Sequence, residues 1–275
     1  MLFQIRTEAL PLTFIQIAIL AIIQGITEFL PVSSSGHLVL TPILLGWKDQ
    51  GVTMDVAVHL GALGAVVLYL WREVWMMVSG LAKLLTGSVN EGAKLAWLVL
   101  IASIPVVLAG LILEFFITGG LRIPLLIGWA FIIGGILLYL GDRFGLKIRR
   151  ITHVTIGHAF LIGVAQAFAM IPGASRAGMT ITMSRFLGYE RRDAARFSML
   201  LSIPAIAGAS FLRGIDVIQS GDTAFQIDLL FAAGLAFATA LLAITVMMSW
   251  LQRQSFTPFV LYRIALGILI LWMAA

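Results

Sequence analysis

The sequence predicts an all-α, polytopic membrane protein built as an inverted repeat of two halves. The prediction rests on the composition, on a series of long apolar segments and on a duplicated polar motif. Of the 275 residues, 60% are hydrophobic and 11% are charged, whereas a soluble domain carries about 25% charged residues. The mean hydropathy is +1.04. The apolar stretches are continuous, which favours spanning helices over the alternating strands of an outer-membrane barrel.

Charged residues and glycine or proline breaks divide the chain into ten apolar segments. The second and seventh segments are short, about 15 residues, whereas a helix needs about 20 residues to cross the hydrocarbon core. The segments before them each end at a proline within a polar patch. The ten segments are 12–30, 32–46, 54–71, 95–117, 124–141, 154–171, 173–188, 194–212, 226–251 and 257–274.

The two halves of the chain repeat one arrangement. Gln24 precedes the motif PVSSSGH, which begins at Pro31, and Gln166 precedes PGASRAG, which begins at Pro172. The offset between the halves is about 141 residues. Paired short, interrupted segments in two repeats are typical of a binding site at the repeat interface. We expect a single membrane domain, 1–275, with internal repeats at about 11–143 and 153–275.

We predict that each short segment forms a re-entrant helical hairpin with the segment before it. Each half then contributes one hairpin and three transmembrane helices, which makes six spans and four re-entrant segments. An odd number of spans inverts the second half relative to the first, so the hairpins enter from opposite faces and their tips meet near the midplane. Non-helical backbone at that depth is tolerated only where it is buried or lines a cavity.

The distribution of lysine and arginine predicts the orientation. In this topology the loops at 72–94, 142–152, 185–196 and 251–256 share one face, with twelve basic residues against four on the other face. Because basic loops stay cytoplasmic, we expect both termini and the opening of the active site on the outer face. The twelve are Arg72, Lys83, Lys94, Arg143, Lys147, Arg149, Arg150, Arg185, Arg191, Arg192, Arg196 and Arg253; the four are Arg6, Lys48, Arg122 and Arg213.

Arg176 is the only charged residue in the predicted tip of the second hairpin. An arginine at membrane depth costs at least about 2.5–3.5 kcal/mol on insertion scales, so a function or a partner is expected for it. Gly173, Ser175 and Thr180 surround it with donors and with backbone that a ligand can approach closely. A guanidinium among such donors, at the start of a helix that follows Pro172, favours a phosphate ligand.

The first hairpin carries complementary chemistry. Gln24 and Glu28 are four residues apart and lie on one helix face, and Ser34 and His37 follow the proline that breaks this helix. A hydroxyl beside an imidazole and a carboxylate is the set needed for an activated nucleophile and a proton shuttle. Glu28 is alternatively a ligand for a divalent cation that neutralises phosphate charge.

Other polar residues of the apolar segments have simpler interpretations. Serine in membrane helices commonly serves packing, which is the interpretation of Ser33. His59 is expected to be a packing or polar-network residue, and Arg263 to pair with an acidic side chain or to snorkel. The chain has no cysteine, which excludes disulfide and thiol chemistry. The net charge of +5 reflects basic loops and gives no indication of nucleic acid binding.

The stretches QGITEFLPVSSSGH and PGASRAGMT resemble the two signatures of the undecaprenyl pyrophosphate phosphatases, the BacA-type bacitracin-resistance proteins. The resemblance covers essentially the whole chain, including DVAVHLG and the closing FVLYRIALG. It implies removal of one phosphate from C55 polyprenyl diphosphate, which releases the monophosphate carrier for cell-wall synthesis. It also implies a multi-pass protein of the bacterial inner membrane, with the lipid diphosphate and membrane lipids as its partners.

The resemblance also implies roles for individual residues. Ser34 resembles the nucleophile, with His37 as the rival for that role, and Glu28 orients the base or holds a cation. Arg176 resembles the main phosphate clamp. The other phosphate-binding positions that it implies are Gln24, Ser35, Gly173, Ser175 and Thr180.

Two positions depart from the family pattern. Gln24 occupies the first position of (E/Q)xxxE, where an amide removes one candidate ligand for Mg²⁺ or Ca²⁺. Ala177 replaces the second serine of the SRS element, which removes one phosphate contact. Both departures leave open the need for a metal ion and the rate of turnover.

A polyprenyl-phosphate transporter is the alternative function, because an inverted repeat with paired broken hairpins is also transporter architecture. The cluster of Glu28, Ser34 and His37 distinguishes the two classes. Translocation needs a phosphate grip but no nucleophile with a base, so the cluster favours a hydrolase.

Overall fold

A computed structural model of the chain describes residues 12–84, 87–116, 123–219 and 223–274. In these ranges the protein is all-helical, with one isolated backbone bridge, between Arg149 and Tyr189. Two 3-10 turns, Ile151–His153 and Phe168–Met170, precede and follow α7. The α-helices are α1 (Phe14–Phe29), α2 (Ser34–Leu45), α3 (Gly51–Tyr69), α4 (Trp71–Leu84), α5 (Glu91–Phe116), α6 (Pro124–Phe144), α7 (Ile156–Ala167), α8 (Arg176–Phe186), α9 (Arg191–Gln219), α10 (Thr223–Trp250) and α11 (Thr257–Ala274).

Each of the ten predicted apolar segments overlaps one of these helices, but the prediction of a loop over 72–94 is wrong. The helix α4 occupies most of that range, and it is bent by 85° from α3. Its charged residues suggest a loop, yet α4 is an amphipathic helix, in which Arg72 and Lys83 are exposed whereas Met77 and Gly80 are buried. The backbone of α5 at Gly92 and Ala93 lies directly against that buried face.

Four described helices, α5, α6, α10 and α11, are long and apolar enough to cross a membrane. The bent pair α3 and α4 adds a fifth span if it is counted as one. The chain is therefore a multi-pass membrane protein, and the sixth predicted span, on α9, stays a prediction. The helices α1, α2 and α7 are apolar but shorter than a span, as the predicted hairpins require.

Both helix breaks use the same backbone arrangement. Ser33 precedes α2 with φ +73°, and Ser175 precedes α8 with φ +71°. Each serine hydroxyl accepts the backbone N–H three residues further on, at 3.4 Å from Gly36 and 3.0 Å from Gly178. Side-chain caps of this kind satisfy N–H groups that a helix start leaves unpaired. The two caps are 142 positions apart, one more than the offset of the motif prolines, so the serines are the equivalent positions.

The helix α10 is central to the packing, with α3 and α1 as its main neighbours, while α6 packs along α11. Glycine makes the closest approaches in this core. A side chain at Gly25 of α1 or Gly61 of α3 would overlap the α10 backbone near Ala236 and Ala233. Small residues that let helix backbones meet are typical of membrane interfaces. Ser33 and Ser175 are both buried, so the helix breaks of both halves lie inside the protein.

Three of the predicted basic loops meet at one buried carboxylate. Asp142 accepts hydrogen bonds from Arg185 at 3.2 Å, from Arg191 at 2.7 and 2.9 Å and from the Phe256 N–H at 3.2 Å. An ion pair between Arg196 and Glu73 joins the fourth region to them. All four regions therefore lie on one side of the molecule.

The placement of Arg185 in a loop is wrong. It lies on α8 and is fully buried, and its guanidinium also donates to the carbonyls of Leu146, Gly145 and Tyr189. A buried arginine with this many acceptors is a structural residue, because each donor replaces a hydrogen bond lost with water. Arg185 nevertheless lies on the same side as the basic regions, because it bonds Asp142.

Candidate active site

A cavity of about 360 Å³ lies between the two helix breaks and the helices α3, α5 and α9. One part of its wall is apolar, from Val106 of α5 and Ala205 and Ile206 of α9. The other part is polar and comes from both halves of the chain. The polar lining residues are Glu28, Ser34, Ser35, Asp55, His59, Gln166, Ser175, Arg176 and Ser210.

Glu28 is the centre of the polar wall. Its Oε2 accepts hydrogen bonds from the Gln24 amide at 2.8 Å and from the Ser34 hydroxyl at 2.6 Å. Its Oε1 accepts a hydrogen bond from Arg176 at 3.1 Å. The side chain is only 5% exposed, so the carboxylate depends on these donors for the solvation it has lost. Glu28 thus connects the helix before the first break, the start of α2 and the start of α8.

Arg176 is the first residue of α8 and extends across to the other hairpin. Besides Glu28, it donates to the carbonyl of Ser198 on α9 at 3.1 Å. Its guanidinium has five N–H donors, and the two bonds to Glu28 and Ser198 use two of them. The rest of the group faces the cavity that it lines, where an anion can approach it.

His59 is a cavity residue for which the sequence predicts only a packing or polar-network role. Its Nε2 lies 3.6 Å from Glu28 Oε2, and its Nδ1 donates to the Asp55 carbonyl at 2.6 Å. Because the Asp55 carbonyl fixes a proton on Nδ1, Nε2 is the nitrogen that faces the carboxylate. The sequence signal for this position is an imidazole in a mostly apolar helix, four residues after Asp55.

His37 does not line the cavity, and the expected contact between it and the Ser34 hydroxyl is not formed. Its Nδ1 lies 2.7 Å from the Ser33 carbonyl, and its Nε2 lies 2.6 Å from the Tyr262 hydroxyl. The ring also stacks on Tyr262 and meets the edge of Phe131. The bond back to Ser33 turns the imidazole toward α11, while Ser34 donates to Glu28.

The remaining predicted phosphate-binding residues divide into two groups. Ser35 and Ser175 line the cavity, whereas Gln24, Gly173 and Thr180 do not. Gly173 has φ +94°, and the Thr180 hydroxyl is buried against Ser198, 2.7 Å from its Oγ. These two support the backbone behind Arg176. Gln24 supports Glu28.

Arg263 holds the two breaks together, and the expectation that it pairs with an acid or snorkels is wrong. It is fully buried on α11 and donates to five backbone carbonyls, at distances of 2.9–3.3 Å. Three of these carbonyls belong to the helix breaks, namely those of Pro31, Gly173 and Ala174. The other two carbonyls are those of Ala130 and Phe131 on α6. Backbone that leaves helical geometry exposes such carbonyls, and the guanidinium satisfies them.

The donors around Glu28 do not fit a cation in this arrangement. Both carboxylate oxygens already accept hydrogen bonds, and Gln24 presents an N–H to Glu28 in place of a second carboxylate. Within the described ranges, no group of three or more His, Cys, Asp or Glu side chains is placed to hold a metal ion. We therefore assign no chemical step to a cation.

The fold and the cavity define a class: a multi-pass membrane protein that keeps a carboxylate, hydroxyls and an arginine at two helix breaks inside the helix bundle. Residues 17–269 match the family described as bacitracin resistance protein BacA, and the chain belongs to this family.

Curated relatives carry the name undecaprenyl-diphosphatase. The chain is 48% identical to the protein of Ruegeria pomeroyi over 265 residues, which covers 96% of this chain and 99% of the relative. It is 49% identical to the protein of Jannaschia sp. over 260 residues, which covers 93% of this chain and 97% of the relative. It is 42% identical to the protein of Alteromonas mediterranea over 262 residues, which covers 95% of this chain and 98% of the relative.

Proposed function

We propose that the chain is an undecaprenyl-diphosphatase, which hydrolyses undecaprenyl diphosphate to undecaprenyl phosphate and inorganic phosphate. Membership of the BacA family and the name of its relatives support this function. The observation that carries it is the 2.6 Å hydrogen bond from Ser34 to Glu28 beside Arg176. The product is the lipid carrier of cell-wall synthesis. The description of the family links this activity to resistance to bacitracin.

In the proposed first step, Ser34 Oγ attacks the terminal phosphorus and Glu28 takes the hydroxyl proton. The bond from phosphorus to the bridging oxygen breaks, and undecaprenyl phosphate leaves. Arg176 turns donors toward the phosphoryl oxygens, where negative charge must be stabilised. The helices α2 and α8 both begin at the cavity, so their N-terminal dipoles add to this stabilisation.

In the second step, water attacks the phosphoserine. His59, whose Nε2 lies 3.6 Å from Glu28 Oε2 on the cavity wall, is placed to accept the proton of this water, while Glu28 returns to Ser34 the proton that it took in the first step. The bond from Ser34 Oγ to phosphorus breaks, inorganic phosphate leaves, and Ser34 recovers its proton. The contacts of His37 favour Ser34 over it as the nucleophile, because both imidazole nitrogens are engaged away from the cavity.

The finer topology is part of the proposal. The basic side of the molecule is cytoplasmic, both hairpins are re-entrant, the halves are inverted, and the site opens to the periplasmic face. The clustering of four basic regions supports this orientation. Single cysteines replacing Asn90 and Asp222, the latter outside the described residues, test it in this cysteine-free chain. An impermeant thiol reagent on intact cells should label position 222 only, and labelling of position 90 alone would reverse the orientation.

The activity is tested by phosphate release from C55 diphosphate with the purified protein. A flippase without hydrolysis would release no phosphate, and it would have no use for the Ser34–Glu28 bond. The same assay with a chelator tests the requirement for Mg²⁺ or Ca²⁺ with Glu28 as its ligand, which stays a prediction from the sequence.

A further inference from the structure

Gln166 is a buried polar side chain of the cavity wall that has no role in the two proposed steps of hydrolysis. It lies near the end of α7, one residue before the last, and its relative exposure is 0%. Neither its amide nitrogen nor its amide oxygen has a hydrogen-bond partner among the described residues. Buried amides are almost always paired, because an unpaired polar group retains the full cost of leaving water.

The repeat shows how Gln166 loses its partner. Gln24 and Gln166 are 142 positions apart, the same offset as the two serine caps. In the first half the Gln24 amide donates to Glu28, four residues further on, at 2.8 Å. In the second half the residue at the same spacing is Met170, which offers no acceptor for an amide N–H. The second amide is therefore free to bind a ligand in the cavity.

The cavity that Gln166 lines defines the ligand class. Ser175 and Arg176 line the same cavity, and α7 packs against α8, which begins at Arg176. An amide N–H in one cavity with a guanidinium and a hydroxyl suits an oxyanion that carries several acceptor oxygens. We infer that Gln166 is a substrate-binding residue, whose side-chain amide donates a hydrogen bond to the phosphate oxygens of the lipid diphosphate headgroup. This inference rests on the proposed function.

The test compares steady-state kinetics on C55 diphosphate in detergent micelles for the wild type, Gln166→Leu and Gln166→Glu. Leu matches the size of the amide without donors, and Glu keeps the shape but faces the phosphate with an acceptor. We expect KM to rise by about 10-fold or more in Gln166→Leu, which corresponds to about 1.4 kcal/mol, with kcat nearly unchanged. Gln166→Glu should raise KM at least as much.

The matched control is Thr182→Val. Thr182 also has a buried hydroxyl without a partner among the described residues, but it does not line the cavity. The KM of Thr182→Val should equal that of the wild type. The melting temperatures of Thr182→Val and Gln166→Leu should be no lower than that of the wild type. If Gln166→Leu fails to fold, Gln166→Glu decides the question.

A wild-type KM in a folded Gln166 variant overturns the inference. A fall in kcat with unchanged KM also overturns it, because the amide would then act on the attacking water and not on the bound headgroup. Failure of the proposed function is a separate result, since the wild-type protein itself would then release no phosphate.

Discussion

The two helix breaks share one backbone design and differ in chemistry. In each, a serine at positive φ caps a helix that begins inside the protein, and the capping positions are 142 residues apart. The first residue after the cap is Ser34 in one half and Arg176 in the other. The same backbone position thus presents a hydroxyl from one hairpin and a guanidinium from the other.

The helices that lead into the breaks differ in the same way. Glu28 in the first half corresponds to Met170 in the second, so the duplicated segment keeps a single carboxylate. A further carboxylate at position 170 would add to the negative charge of Glu28 and Asp55 on the cavity wall and would repel the phosphate. The comparison indicates that one hairpin has specialised in activating a nucleophile and the other in binding the anion.

Removing the nucleophile should have the largest effect. We expect Ser34→Ala to reduce turnover by at least about 10⁴-fold, because no other hydroxyl among the described residues bonds Glu28. Binding of the lipid diphosphate should persist, since Arg176 remains. Ser103→Ala, at a buried serine that bonds the Val99 carbonyl and does not line the cavity, is the control and should retain most activity. A Ser34→Ala variant that turns over at a rate near that of the wild type would move the nucleophile elsewhere.

Replacing the clamp should have the next largest effect. Arg176→Lys keeps the charge but loses the planar fork that bonds Glu28 and Ser198 together. We expect a loss of about 10²-fold in kcat, or about 2.7 kcal/mol of barrier, with folding intact. Arg253→Lys, at an exposed arginine on the basic side, is the matched exchange and should leave kcat unchanged. Normal turnover by Arg176→Lys would remove the residue from the mechanism.

His37 tests whether the first hairpin uses an imidazole directly. Because its nitrogens contact Ser33 and Tyr262, we expect His37→Ala to lower turnover by about 10-fold through a less rigid start of α2. Tyr262→Phe removes one of the same contacts and should have a smaller effect in the same direction. The loss should be independent of pH. Rescue of His37→Ala at high pH would instead show that the imidazole is a base.

The caps provide the smallest effect and the closest comparison. Ser33→Ala and Ser175→Ala each remove one capping bond, so each should lower the free energy of unfolding by about 1 kcal/mol, measured by thermal unfolding in micelles. Only Ser175→Ala should also raise KM, because Ser33 does not line the cavity. Unequal losses of stability would show that the two breaks are not equivalent.

The sequence predicts the helices and breaks well because long apolar runs and Pro31 and Pro172 are local signals. The exception is α4, whose charges resemble those of a loop until its buried face is seen against α5. The grouping of Glu28, Ser34 and Arg176 follows from the repeat and the motifs. The orientation of His37 does not, since it depends on a contact with Tyr262, which is 225 residues away.

Buried charges are harder to interpret from sequence. Arg263 satisfies carbonyls from three separate parts of the chain, and no side-chain pattern encodes such acceptors. Arg185 lies beside a basic loop in the sequence, but its side chain is inside the protein, where it donates a hydrogen bond to Asp142. His59 faces Glu28, which lies on another helix. The position of His59 in the site therefore depends on the packing of α1 against α3, which the sequence does not show.

The most direct test of the division of labour between the hairpins is to trap the phosphorylated protein. The purified protein is mixed with C55 diphosphate that carries ³²P in its terminal phosphate, quenched in acid within the first turnover and mapped by peptide sequencing. We predict acid-stable phosphoserine at Ser34, and its absence from Ser34→Ala. An acid-labile phosphohistidine at His37, found after a neutral quench in place of phosphoserine, would contradict this division of labour.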